Sequence, residues 1–161
     1  MEKTLFVFYV EQISADVEKA LTSEPGFSYN TEHVSEKNVS PILGEVLHKL
    51  RKEGHKIVLI SKKPFSEFSN KEIAFISLNF DQTLVGGKDF DKITFKVDNF
   101  KENNTVFISD EPEFLGRVSR LSRVVGITSQ DAGYSDFSKE GVRELINGFA
   151  HLPSYLLQKI A

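Results

Sequence analysis

Residues 105–127, TVFISDEPEFLGRVSRLSRVVGI, decide how the chain folds. Val106, Phe107 and Ile108 make an apolar run of strand length with no alternation, as a strand buried on both faces requires, and Ser109-Asp110-Glu111 breaks it. Pro112 suits the first turn of a helix, where its missing N–H costs nothing, and Asp110 stands where a cap would receive free backbone N–H groups. Phe114, Leu115, Val118 and Leu121 then recur at helical spacing, and a second apolar run closes at Ile127. The stretch is a β-turn-α-β unit with two carboxylates at the corner beyond its first strand. In an open parallel sheet, ligands bind at such corners.

Upstream, residues 5–10 are aromatic and β-branched and read as a central strand. A helix capped by Ser14, with Val17, Ala20 and Leu21 inward, should follow and stop at Glu24-Pro25-Gly26. Residues 27–39 are polar without a period and read as a loop or small flap. Ser40-Pro41 starts the strongest helix, with Ile42, Leu43, Val46, Leu47 and Leu50 as its stripe and Gly54 as its stop. Residues 56–60 are a second buried strand ending at Ser61. Lys62-Lys63-Pro64 forces a turn, and the stretch from there to residue 78 fits helix, strand or both in succession. Residues 80–85 read as a third strand closed by Gly86-Gly87, and residues 90–100 as a helix with Phe90, Ile93, Val97 and Phe100 inward.

Downstream of the central unit, a polar loop should run to Phe137. A helix from Ser138, with Val142, Leu145, Ile146 and Phe149 inward, and a last segment restarted by Pro153 complete the chain. Strands alternating with helices predict a three-layer α/β fold, a doubly wound sheet of about five mostly parallel strands. With 161 residues, 40% of them hydrophobic and 14 of them Phe, the chain can bury one sizeable core, and a single domain over 1–161 is expected.

A formal net charge of -3 and a pI near 5.8 give no broad basic field, which argues against nucleic-acid binding. The absence of Cys excludes disulfides, thiolate metal sites and a cysteine nucleophile, and fits a cytoplasmic location. No leader pattern and no apolar run of membrane-spanning length is read in the sequence. His33, His48, His55 and His151 show no ligand spacing among them.

In order, the strand ends resemble the haloacid dehalogenase-like (HAD) superfamily. KIVLIS ends in Ser61, as the family's second motif ends in Ser or Thr. NFDQTLVGGKDFDK is similar to the segment that leads to the third-motif Lys, for which Lys88 and Lys92 both remain candidates. VFISDEPEF followed by RLSRVVGI resembles the acidic fourth motif, with Ser109-Asp110 where Gly-Asp is usual. The resemblance implies a HAD-like domain, capless or with a minimal cap, and the chemistry of a magnesium-dependent phosphohydrolase.

The first motif departs from that pattern. The family's strand ends in Asp-x-Asp, whereas LFVF here leads to Tyr9-Val10-Glu11, so Tyr9 stands at the nucleophile position and Glu11 at that of the general acid/base. Phosphoryl transfer to the enzyme needs a carboxylate that attacks phosphorus and a second group that moves the proton. A phenol with an unperturbed pKa of about 10 is a poor replacement at neutral pH. Phe114 also replaces a metal-binding Asp of the fourth motif. What the resemblance then implies is a domain that has lost catalysis and binds a phosphorylated ligand or a protein partner. Its relic positions are Tyr9, Glu11, Ser61, Lys88 and Lys92, with Glu11, Asp110 and Glu111 as weak Mg2+ ligands. The alternative is an active phosphatase with an unusual nucleophile.

Plainer roles are open for the same residues. Tyr9 can be a core aromatic, Ser61 a strand terminator, Asp110 and Glu111 helix caps, Lys88 and Lys92 surface charges. Arg117, Arg120 and Arg123 lie three apart and read as the solvated face of one helix. FISLNFDQTLV also resembles a first motif, in permuted order, with Asn79 at the nucleophile position and Asp81 two residues on. ISDEPEFL resembles the acidic opening of a receiver domain, but too few residues follow it to complete one. Finally, Leu152, Tyr155, Leu156, Leu157 and Ile160 form an apolar C-terminal segment that should be buried, on the protein's own sheet or in a homodimer.

Overall fold

Strand β1 (Leu5–Tyr9) is buried at every position, because it is the middle of the sheet and has a helical layer on each side. The computed structural model describes residues 3–10, 39–61, 65–85, 104–119 and 122–160. Around β1 run α1 (Val39–Lys52), β2 (Lys56–Ser61), a 3-10 turn (Phe65–Glu67), α2 (Asn70–Asn79), β3 (Gln82–Val85) and β4 (Thr105–Ser109). They are followed by α3 (Pro112–Val118), β5 (Arg123–Ile127), α4 (Tyr134–Lys139), β6 (Leu145–Ile146), a 3-10 turn (Phe149–His151) and α5 (Leu152–Ile160). The Ser14 helix, the flap at 27–38, the turn at 62–64, the Gly86-Gly87 stop, the 90–100 helix, Glu11, Lys88, Lys92, Arg120 and Leu121 lie outside the described residues.

The sheet order is β3-β2-β1-β4-β5-β6, and every pairing is parallel. From β1 the chain builds outward through β2 and β3, then returns to β4 and builds the other way. The reversal lies between β1 and β4, the crevice where doubly wound sheets take ligands. Tyr9 pairs with Ser109 there, so the two strands end level.

Side chains alternate along each strand and fill two cores. Phe6, Phe8, Ile57, Leu59, Val106 and Ile108 point to one face, where they meet Leu43, Val46, Leu47 and Leu50 of α1, Ile76 of α2, and Leu152 and Leu156 of α5. Leu5, Val7, Tyr9, Val58, Ile60 and Phe107 point to the other and meet Phe114 and Leu115 of α3 and Phe137 of α4. The 43-46-47-50 spacing is one helical stripe, and all four residues are fully buried. Lys49, Arg51 and Lys52 in the last turn complement the helix dipole, and Gly54 at φ +94° ends the helix. The apolar C-terminal segment places Leu152 and Leu156 in the protein's own core, each contributing roughly 1.5–3 kcal/mol.

The doubly wound sheet of about five mostly parallel strands is there, with six strands among the described residues. Several other expectations are corrected. No helix starts at Ser138: α4 starts earlier, at Tyr134, and Gly141 at φ +78° ends it. Leu145 and Ile146 mimic a helical stripe with Val142, but the edge of β5 offers backbone partners, and Gly126 N–H to Glu144 O (2.9 Å) and Thr128 N–H to Ile146 O (3.0 Å) draw them into β6. Helix α1 starts at Val39, one residue before Ser40, and β1 stops at Tyr9. The stretch left open after Pro64 is a 3-10 turn and α2. The third strand starts at Gln82, because the Phe80 N–H still bonds to Ile76 O and closes α2. Arg117 and Arg123 do not share a helix, since α3 ends at Val118 and Arg123 opens β5 with its guanidinium on Glu144 (2.7 and 2.8 Å).

Candidate functional site

At the carboxyl ends of β1 and β4, the Tyr9 ring is 1% exposed and lies 4.6 Å, centroid to centroid, from Phe114, which in turn meets Phe107 edge-on at 6.1 Å. Tyr9, which the resemblance sets at the nucleophile position, is thus part of an aromatic cluster with residues of α3 and β4, as a core aromatic would be. Beside it, Ser109 is fully buried. Its hydroxyl donates to the Tyr9 carbonyl at 2.7 Å and accepts from the Glu111 N–H at 3.0 Å. One side chain therefore ties β1 to β4 and fixes the backbone of the acidic turn.

That turn carries Asp110 and Glu111, both partly buried. Glu111, not Asp110, is the N-cap residue of α3; its backbone is extended (φ -109°, ψ 108°) and its side chain makes no cap bond, while Pro112 fills the first helical turn. Asp110 precedes that N-cap by one residue. Ser61, 8% exposed, ends β2 on the same rim, two residues beyond the Leu59 that pairs with Phe8. Tyr9, Ser61, Asp110 and Glu111 therefore come to one edge of the sheet. Glu11, Lys88 and Lys92 lie outside the described residues.

A cleft of about 500 Å³ opens beside this turn. Asp110, Glu111 and Glu113 line one wall and Asp131, Asp136 and Glu140 the other, against the two cations Arg117 and Lys139. The Asp136 carboxylate accepts the Gly133 N–H at 2.8 Å and so caps α4. This second wall was not singled out in the sequence. Its signal was the spacing of Gly133 and Asp136, an N-cap and its third helical residue.

The permuted reading fails on position. Asn79 is the last residue of α2, and Asp81 precedes β3 at the amino ends of the strands, where its carboxylate accepts the Ile57 N–H at 2.8 Å and pairs with Arg51 at 3.2 Å. The receiver reading loses ground similarly, because its acidic turn follows the fourth strand of this sheet.

Mg2+ requires several hard oxygen ligands in near-octahedral geometry. Asp110 and Glu111 are of the right chemical type, but among the described residues no group of three or more His, Asp or Glu side chains could hold a metal. These residues do not make a metal site by themselves.

Neither a protein-family model nor a curated protein sequence matches the chain. Solved structures do. A predicted phosphatase from Clostridium acetobutylicum superposes with a TM-score of 0.56 at 16% identity, covering 98% of this chain and 100% of that one. A hydrolase from Pseudomonas syringae gives 0.54 at 14% identity, with 98% and 99% covered. A predicted phosphoglycolate phosphatase from Haemophilus somnus gives 0.53 at 13% identity, with 96% and 99% covered. The fold is the doubly wound α/β fold of these structures. At these identities the likeness carries architecture, and chemistry has to be argued from the side chains. Among the described residues, no helix is long and apolar enough to cross a membrane.

Proposed function

We propose that this HAD-like domain has lost phosphohydrolase catalysis and binds a phosphorylated ligand or a protein partner at the carboxyl ends of β1, β2 and β4. The observation that carries the reading is Tyr9, which stands at the end of the central strand and is packed against Phe114. A buried phenol packed among aromatic rings has neither the charge nor the freedom of the carboxylate that the reaction needs. In this reading Ser61, at the end of β2, faces the phosphoryl group, and Asp110, Glu111 and Glu11 share a weakly held Mg2+. The carboxylates of the adjoining cleft repel a bare phosphate, so a phosphorylated ligand should bind with the cation, whereas a protein partner would present basic side chains.

Amide chemical shifts during titration with a phosphate mimic, with and without magnesium, test the binding site. Shifts at residues 109–111 that need both components support the phosphorylated ligand. No response leaves the protein partner.

A second reading, an active phosphatase with an unusual nucleophile, is favoured by the fold shared with phosphatases and by the carboxylates of Asp110 and Glu111 at the end of β4. Turnover separates the two readings.

A further inference from the structure

At the opposite end of the sheet, His55 sits in the turn between α1 and β2, 3% exposed, with its ring edge-on to Phe6 at 5.8 Å. Its Nδ1 accepts the Thr4 N–H at 3.0 Å. A backbone amide can only donate, so Nδ1 carries no proton, and the neutral ring must hold its proton on Nε2. Among the described residues, Nε2 is buried with no hydrogen-bond partner. No carboxylate among the described residues accepts a hydrogen bond from this nitrogen. The charged groups that act on the ring are Lys3, leading into β1, and Glu53, in the α1–β2 turn. Lys3 is held beside the turn by donating from its ammonium to the Glu53 carbonyl.

We propose that His55 is a proton-sensitive clamp on the amino ends of β1 and β2, closed while the imidazole is neutral and opened by acid. A proton on Nδ1 would set an N–H against the Thr4 N–H, so the bond breaks and two donors face one another. The neighbouring bond from the Lys56 N–H to the Thr4 carbonyl (3.1 Å) does not depend on the ring and stays. The electrostatics run in the same direction. Burial first, then Lys3, hold the His55 pKa below the ordinary histidine range, with Glu53 opposing. The unfolded chain, with an ordinary histidine near 6.5, binds the proton more readily, so stability from this group is complete above that pH and is lost as the pH falls below it.

The test uses the full chain and His55→Asn, whose Oδ1 can take the place of Nδ1 as acceptor but does not titrate. Wild type should show the Nε2–H tautomer by nitrogen NMR at pH 7.5. Between pH 6.5 and 5 its folding constant should fall relative to His55→Asn by up to about 10-fold per pH unit, the limit for one proton. Thr4 amide protection should fall in parallel. Equal pH slopes in the two proteins would overturn the proposal, as would a folded His55 that titrates near 6.5 with Thr4 protection unchanged. Should the variant fail to fold, the tautomer and the Thr4 protection of wild type decide on their own.

Discussion

The two ends of the strands use polar side chains in opposite ways. At the amino ends, Asp81 is bonded to the Ile57 N–H and to Arg51, whose guanidinium also reaches the Leu78 carbonyl, and His55 is bonded to the Thr4 N–H. Each of these groups satisfies backbone in the fold itself. At the carboxyl ends, Ser109 is committed in the same manner, but Asp110 and Glu111 line a cleft in which carboxylates outnumber cations six to two. Massing like charge at one edge opposes folding and is tolerated where something else is to be bound. The contrast is one of charge: polar groups at the amino ends are bonded to backbone, whereas those at the carboxyl ends also gather like charge around a cleft.

The largest effect should come from the core beneath both ends. Leu156→Asp places a carboxylate among fully buried side chains of α1 and the sheet, and should cost about 4 kcal/mol or more, lowering the melting temperature equally at every protein concentration. A variant that stays folded but shifts from oligomer to monomer in sedimentation would instead make α5 an interface.

Next, Asp81→Ala should cost about 1–3 kcal/mol in urea unfolding, since the Ile57 N–H and Arg51 both lose a charged partner. Gly126→Ala should fall in a similar range, about 1–3 kcal/mol, because an added Cβ would stand 2.6 Å from the Phe137 ring and 2.7 Å from Leu145. Asp110→Asn should be the mildest, within about 0.5 kcal/mol. If it costs as much as Asp81→Ala, Asp110 belongs to the fold and the contrast between the ends collapses.

The parallel sheet and its two flanking layers were legible because buried strands such as residues 56–60 are unbroken apolar runs and α1 has an uninterrupted stripe. Helix α4 and strand β6 were not, because Val142, Leu145 and Ile146 fit a helical period and only the left-handed Gly141 and the open edge of β5 decide against it. Likewise Arg117 and Arg123 shared a spacing but not an element, since a helix end at Val118 leaves no sharp mark in the sequence. The placing of Tyr9, Ser61, Asp110 and Glu111 at strand ends on one edge of the sheet was legible, because each lies just after an apolar run. The Ser109 bridge was not, because it depends on pairing across 100 residues of sequence. Nor was the wall around α4, which depends on where a loop returns in space.

The most direct measurement is magnesium-dependent hydrolysis of a generic phosphate ester by the purified chain and by Asp110→Asn. On the proposal that Tyr9 stands in the nucleophile's place, the two proteins should show the same background and no turnover. Turnover by the wild type that survives repurification and disappears in Asp110→Asn would contradict the loss of catalysis.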